Sequence, residues 1–83
     1  MDKLKILVVD DEQRMRKLVK DFLMKQNYDV LEAGDGEEAL ECFYANKDIA
    51  LIILDVMMPK MDGWAVCREV RGYSKLPIIM LTA

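Results

Sequence analysis

The stretch Leu51-Ile52-Ile53-Leu54-Asp55-Val56-Met57-Met58-Pro59-Lys60-Met61-Asp62-Gly63 limits the folds open to this chain more than any other. Four consecutive apolar residues, two of them β-branched, suit a strand buried on both faces, as in a parallel sheet covered by helices. Pro59 cannot continue a central strand, so the chain must turn there. Asp62-Gly63 then prepares a helix, with Asp62 placed to cap its free N–H groups. Asp55 is left at the C-terminal end of a buried strand, where open α/β sheets bind their ligands. Function is therefore sought at Asp55.

The rest of the chain alternates around this stretch. Leu4 to Val9 reads as a strand ending in Asp10-Asp11-Glu12. Met15, Leu18, Val19, Phe22 and Leu23 then recur with the spacing of an amphipathic helix. Acidic residues at its start, and Arg14, Arg16, Lys17, Lys20 and Lys25 further along, suit its dipole. Asn27 closes that helix, Tyr28–Ala33 alternates like a strand with one partly wet face, and Gly34-Asp35-Gly36 is a turn. Glu37 to Asn46 is a second helix burying Ala39, Leu40 and Phe43. Ile49 to Leu54 is the strand of the opening stretch. Gly63 to Arg71 is a third helix with Val66, Cys67 and Val70 inward, and Pro77 to Thr82 is a fourth strand. The order β-α-β-α-β-α-β implies a parallel sheet with right-handed crossovers. Such a unit should not stop on a strand, so residues 1–83 read as a single domain that has been cut.

Composition excludes several functions. Hydrophobic residues at 53% and charged residues at 33% describe a folded chain with a soluble surface. A net charge of −3 argues against nucleic-acid binding by this segment. No apolar run approaches the roughly 20 residues of a membrane span, and the first strand begins too soon for a signal peptide. Cys42 and Cys67 sit inside helical patterns with no CxxC and no histidine anywhere, which disfavours zinc and suits reduced thiols in a cytoplasmic protein. Any chemistry must run on carboxylates, hydroxyls, lysine or metal.

Asp10 and Asp11 end the first strand and Asp55 ends the third. If those strands are neighbours, three carboxylates converge, and their repulsion calls for a cation between them. Hard oxygen ligands with room for water suit Mg²⁺. Mg²⁺ beside a carboxylate favours phosphoryl transfer onto it. The backbone carbonyl of Met57 could reach the same metal, and Thr82 would bring a hydroxyl to the same edge. Each feature also has an ordinary explanation: Asp10 or Asp11 as a helix N-cap, Asp55 as a turn residue, Thr82 as a strand end, Trp64 as a partly buried surface residue. Their conjunction, each at the matching end of its own strand, points to a site.

These residues resemble the receiver domain of bacterial two-component response regulators. Ile6-Leu7-Val8-Val9-Asp10-Asp11-Glu12 is similar to that family's first strand and acidic pair, Leu54 to Gly63 to its phosphoacceptor motif, and Pro77 to Ala83 to its switch strand. The resemblance implies a flavodoxin-like (CheY-like) doubly wound sheet of order 2-1-3-4-5. It further implies that Asp55 accepts a phosphoryl group from the phosphohistidine of a sensor histidine kinase. Mg²⁺ would be held by Asp10, Asp11, Asp55 and the Met57 carbonyl, and Thr82 would act as the switch hydroxyl. The domain would be a phosphoacceptor switch rather than an enzyme. The third helix is most similar to those of regulators carrying a winged-helix DNA-binding effector.

Family members continue into a fourth helix, a fifth strand bearing a phosphoryl-contacting lysine, and a fifth helix, so the expectation here is slow or undetectable phosphorylation. The loss should also uncover part of the Met15–Leu23 stripe and leave the fourth strand as an edge. Self-association through either surface is expected. Two other readings compete. A phosphatase of the haloacid-dehalogenase-like class wants an Asp two residues after the nucleophile, where this chain has Met57. A truncated structural or assembly fragment without signalling is the other.

Overall fold

A computed structural model describes residues 3–81. Its elements run β1 (Lys5–Val9), α1 (Gln13–Lys25), β2 (Asp29–Ala33), α2 (Gly36–Ala45), β3 (Ile49–Asp55), α3 (Gly63–Arg71) and β4 (Ile78–Leu81). The four strands form one sheet in the order β2-β1-β3-β4, and every pairing is parallel. The parallel sheet is what the alternating pattern predicts, and its strand order is the flavodoxin-like one that the family resemblance implies.

Period-two alternation along the central strands divides the core. Leu7, Val9, Ile52 and Leu54 face α2, α3 and the loop before α3, where they meet Ala39, Val66, Val70 and Met58. Ile6 and Val8 face the other way, onto Leu23 and Val19 of α1, with Leu51 and Ile53 half-buried beside them. Leu7, Ile52, Leu54 and Val70 are fully excluded from water. Burying a side chain of this size contributes on the order of 1.5–3 kcal/mol, so the β1–β3 pair anchors the fold.

The helix boundaries follow local chemistry. Asp62 accepts from the Ala65 N–H at 2.9 Å, as its position predicts. Asp35 does the same for Glu38 at 2.8 Å, so α2 begins at Gly36 rather than Glu37. Helix α1 ends at Lys25, and Asn27 turns the chain with φ 70, a left-handed conformation that Asn tolerates. The start of α1 corrects the sequence reading. Its N-cap is Glu12, without a side-chain capping bond, and its first turn holds no acid. Neither Asp10 nor Asp11 caps it.

The apolar stripe of α1 is covered on one flank only. Leu23 is buried and Val19 half-buried, whereas Leu18 and Phe22 are 66% and 62% exposed. Ile79 and Leu81 of β4 are also exposed, and within the described residues β4 has a strand neighbour on one side only.

Candidate functional site

Strand register brings the acids together. Val9 pairs with Leu54, so Asp10, just past β1, and Asp55, the last residue of β3, stand side by side at the same end of the sheet. One carboxylate oxygen each from Asp10, Asp11 and Asp55 lies within 4.8 Å of the others. Asp10 is buried, Asp55 half-buried and Asp11 exposed, a graded descent into an open cleft of about 360 Å³. Glu12, Met15, Met57 and Leu81 complete its lining, and none of these described residues is cationic.

Backbone donors fix two of the acids. The Glu12 N–H donates to Asp10 Oδ1 at 2.9 Å, and the Met57 N–H donates to Asp55 Oδ1 at 3.1 Å. The Asp10 N–H itself donates to the Ala33 carbonyl at 3.1 Å, tying the acid to β2. Burial pushes the Asp55 carboxyl above its ordinary value; the Met57 N–H opposes this, and the charges of Asp10 and Asp11 add to the rise. A carboxylate raised by burial and two like charges is one for which a cation would restore the ionised form. Three hard oxygen donors at this spacing fit a divalent cation that retains some of its water.

The loop after β3 folds back sharply. The Gly63 N–H donates to the Val56 carbonyl at 3.0 Å, and the Met61 N–H donates to the Pro59 carbonyl at 2.8 Å across Lys60, whose φ is 68. Gly63 is required by proximity: a Cβ there would stand 2.5 Å from the Asp55 carbonyl oxygen and 2.8 Å from Val56 Cα. The N-terminus of α3 is thus seated directly against the residue that carries the site.

A family model described as the response regulator receiver domain matches residues 6–83. The chain belongs to that family. It is 52% identical, over all 83 of its residues, to the probable transcriptional regulator ycf27 of Porphyridium aerugineum, of which it covers 34%. The chain therefore spans about a third of the length of that curated relative. Among solved structures, it resembles the response regulator TrrA of Thermotoga maritima in complex with Mg²⁺-BeF. That likeness has a TM-score of 0.90 at 43% identity, covering 96% of this chain and 70% of TrrA. TrrA in complex with the histidine kinase ThkA is a further likeness, with a TM-score of 0.89 at 42% identity over 96% of this chain and 69% of the other.

Within this receiver domain the structure assembles Asp10, Asp11 and Asp55 and brings Met57 to the cleft wall. Thr82 lies outside the described residues, although Leu81 before it pairs with Asp55. Two features escaped the sequence reading. The two backbone N–H bonds to the acids carry no signal in residue type. Arg16, counted only as a helix-dipole cation, donates to the Asp10 carbonyl at 2.7 Å. Cys42 and Cys67 are unpaired and half-buried, with burial pushing the Cys42 thiol up. No described helix is long and apolar enough to cross a membrane.

Proposed function

We propose that Asp55 is the phosphoacceptor of this receiver domain, charged by the phosphohistidine of a sensor histidine kinase, with Mg²⁺ held by Asp10, Asp11, Asp55 and the Met57 carbonyl. One observation carries the reading: three carboxylates within 4.8 Å of one another in a cleft without a described cation. A Mg²⁺ ion bound there supplies the neutralising charge that lets a carboxylate approach an anionic phosphoryl group. In the transfer an Asp55 oxygen forms its bond to phosphorus as the P–N bond breaks, and the electron pair remains on the imidazole nitrogen. The Met57 N–H restrains rotation of the accepting carboxylate. Asp10 and Asp11 bind and orient, and Thr82 follows the transferred group as the switch hydroxyl.

The domain acts as a switch and not as an enzyme, with only slow self-phosphorylation and self-dephosphorylation; the chain has no histidine to serve as a base. The TrrA complexes with Mg²⁺-BeF and with a histidine kinase support the metal and the partner. The ycf27 likeness supports an output in transcription, and the reading places the domain in the cytoplasm. The test is intact mass after incubation with acetyl phosphate and Mg²⁺. A slow gain of one phosphoryl group, absent in Asp55→Asn, is expected. Equal gain in that variant overturns the assignment.

A second copy of this chain is the further partner proposed. Met15, Leu18 and Phe22 form an exposed ridge on α1 at i, i+3 and i+7. On the same side of the sheet, Leu4, Ile6, Leu23, Tyr28, Leu51 and Pro77 line an apolar groove of about 330 Å³. Ridge and groove on one surface suit a two-fold contact in which each copy offers both.

A further inference from the structure

We infer that Arg16 is a positioning residue for the acidic site, holding Asp10 through its main chain, with Glu32 setting the guanidinium. The inference rests on the proposed metal role of Asp10. Arg16 Nη1 donates to the Asp10 carbonyl at 2.7 Å, while Nε donates to Glu32 Oε1 at 3.3 Å. Glu32 Oε2 in turn accepts from Lys20 Nζ at 3.0 Å. The Arg16 side chain is 18% exposed, far less than the neighbouring Lys17 at 73%. A planar fork tied at two of its corners has little freedom left, which a lysine ammonium could not reproduce.

The geometry converts this hold into placement of a carboxylate. The peptide on one side of Asp10 is fixed by its N–H donating to Ala33 on β2. Arg16 fixes the peptide on the other side by its carbonyl. The same peptide unit continues to Asp11, and the next N–H, that of Glu12, donates back to Asp10 Oδ1. Both metal-facing acids that follow β1 therefore hang from a loop that the Arg16 side chain clamps from α1. Gly34 keeps room for the clamp, since a Cβ there would come within 3.3 Å of Nη1.

The sign of one measurement separates action by position from action by charge. Removing a cation near an acidic site strengthens cation binding if charge alone matters. Removing a support that orients ligands weakens it, commonly by about ten-fold or more. Mg²⁺ is titrated into the wild-type chain, Arg16→Met, Arg16→Lys, Glu32→Gln and Lys17→Met, following the Met57 and Glu12 amide resonances. Hydrogen exchange at the Glu12 amide is measured without metal. Arg16→Met should weaken Mg²⁺ binding about ten-fold and speed exchange at Glu12. Arg16→Lys should recover only part of both, Glu32→Gln should fall between Arg16→Met and wild type, and Lys17→Met, with the same charge loss, should show neither effect. Unchanged or tighter binding in Arg16→Met overturns the inference, as does unchanged Glu12 exchange. Absence of Mg²⁺ binding in the wild type would refute the metal reading itself, and the exchange arm would still decide whether Arg16 holds the loop.

Discussion

Replacing Gly63 with alanine tests whether α3 is seated as tightly against β3 as the geometry states. The new Cβ would meet the Asp55 carbonyl oxygen at 2.5 Å, Val56 Cα at 2.8 Å and the Asp55 carbonyl carbon at 3.1 Å. Optimal separations between carbon atoms are about 3.5–4.0 Å, so the nearest carbon is short by roughly an ångström. No flexible side chain is among the three contacts; all are backbone. Either α3 withdraws, stretching the 3.0 Å bond from the Gly63 N–H to Val56, or the end of β3 shifts with Asp55 on it. Overpacking of this kind costs on the order of 1–3 kcal/mol. Alanine returns at most about 0.5–1 kcal/mol through its better helix propensity. The net loss is about 1 kcal/mol at mid-range and up to about 2.5 kcal/mol, the mid-range value being roughly 4–8 °C in midpoint for a domain of this size.

Urea unfolding followed by circular dichroism measures the loss. Gly72→Ala is the control, because Gly72 already has helical angles (φ −66, ψ −19) and its Cβ would meet only the Glu69 carbonyl, at 3.3 Å. That change should be close to neutral, or stabilising by up to about 1 kcal/mol through the unfolded chain. If Gly63→Ala proves as stable as Gly72→Ala with an unchanged denaturant slope, α3 is not seated on Asp55 and the reasoning is refuted. The same displacement should reach the site: Gly63→Ala should shift the Met57 amide resonance, and Gly72→Ala should not.

Asp55→Asn should be more stable than wild type near pH 7. A carboxyl whose folded value is raised contributes stability that is present below its ordinary value of 3.8 and lost as pH rises through the raised value. The advantage of the Asn variant should therefore vanish below that window, and a pH-independent difference in urea midpoint would contradict it. Lys60→Gly should stabilise by up to about 1 kcal/mol by releasing a left-handed lysine; a lower urea midpoint would show that the turn is not strained. Phe22→Asp should weaken self-association in a concentration series of sedimentation runs, and a wild-type monomer at every concentration would remove the second copy as a partner.

What could be read from the sequence depended on how locally each feature is encoded. The Leu51–Leu54 run, the Pro59 stop and the Asp62 cap lie within one continuous stretch, and each structural consequence follows from residue type. Convergence of Asp10 with Asp55 needed only that β1 and β3 be neighbours, which the alternating pattern left open and the strand order implied by the family resemblance supplied. The Arg16–Glu32 pair lies 16 residues apart and depends on how α1 settles over β2, so no pattern announces it. The need for glycine at position 63 was equally silent, because Asp-Gly reads as a helix start and gives no hint of backbone contact. The start of α1 misled because an acid before a helix is usually its cap, whereas Asp10 Oδ1 accepts from the Glu12 N–H within the loop.

The arrangement of the site explains why its acids need such support. Three carboxylates within 4.8 Å repel one another, and an unrestrained loop would relieve the repulsion by swinging Asp11 and Asp10 into solvent. Asp10 is instead 8% exposed, which requires opposing forces on the chain that carries it. Those forces are the Ala33 carbonyl, the Glu12 N–H and the Arg16 guanidinium, supplied respectively by β2, the loop itself and α1. Asp55 is held in turn by the β3–β4 ladder, the Met57 N–H and the close seat of Gly63. The folded chain thus keeps the acids together, and the Asp55 carboxyl is raised first by its burial and further by the charges of Asp10 and Asp11. A cation entering the cleft would meet ligands already gathered, with little ordering left to do.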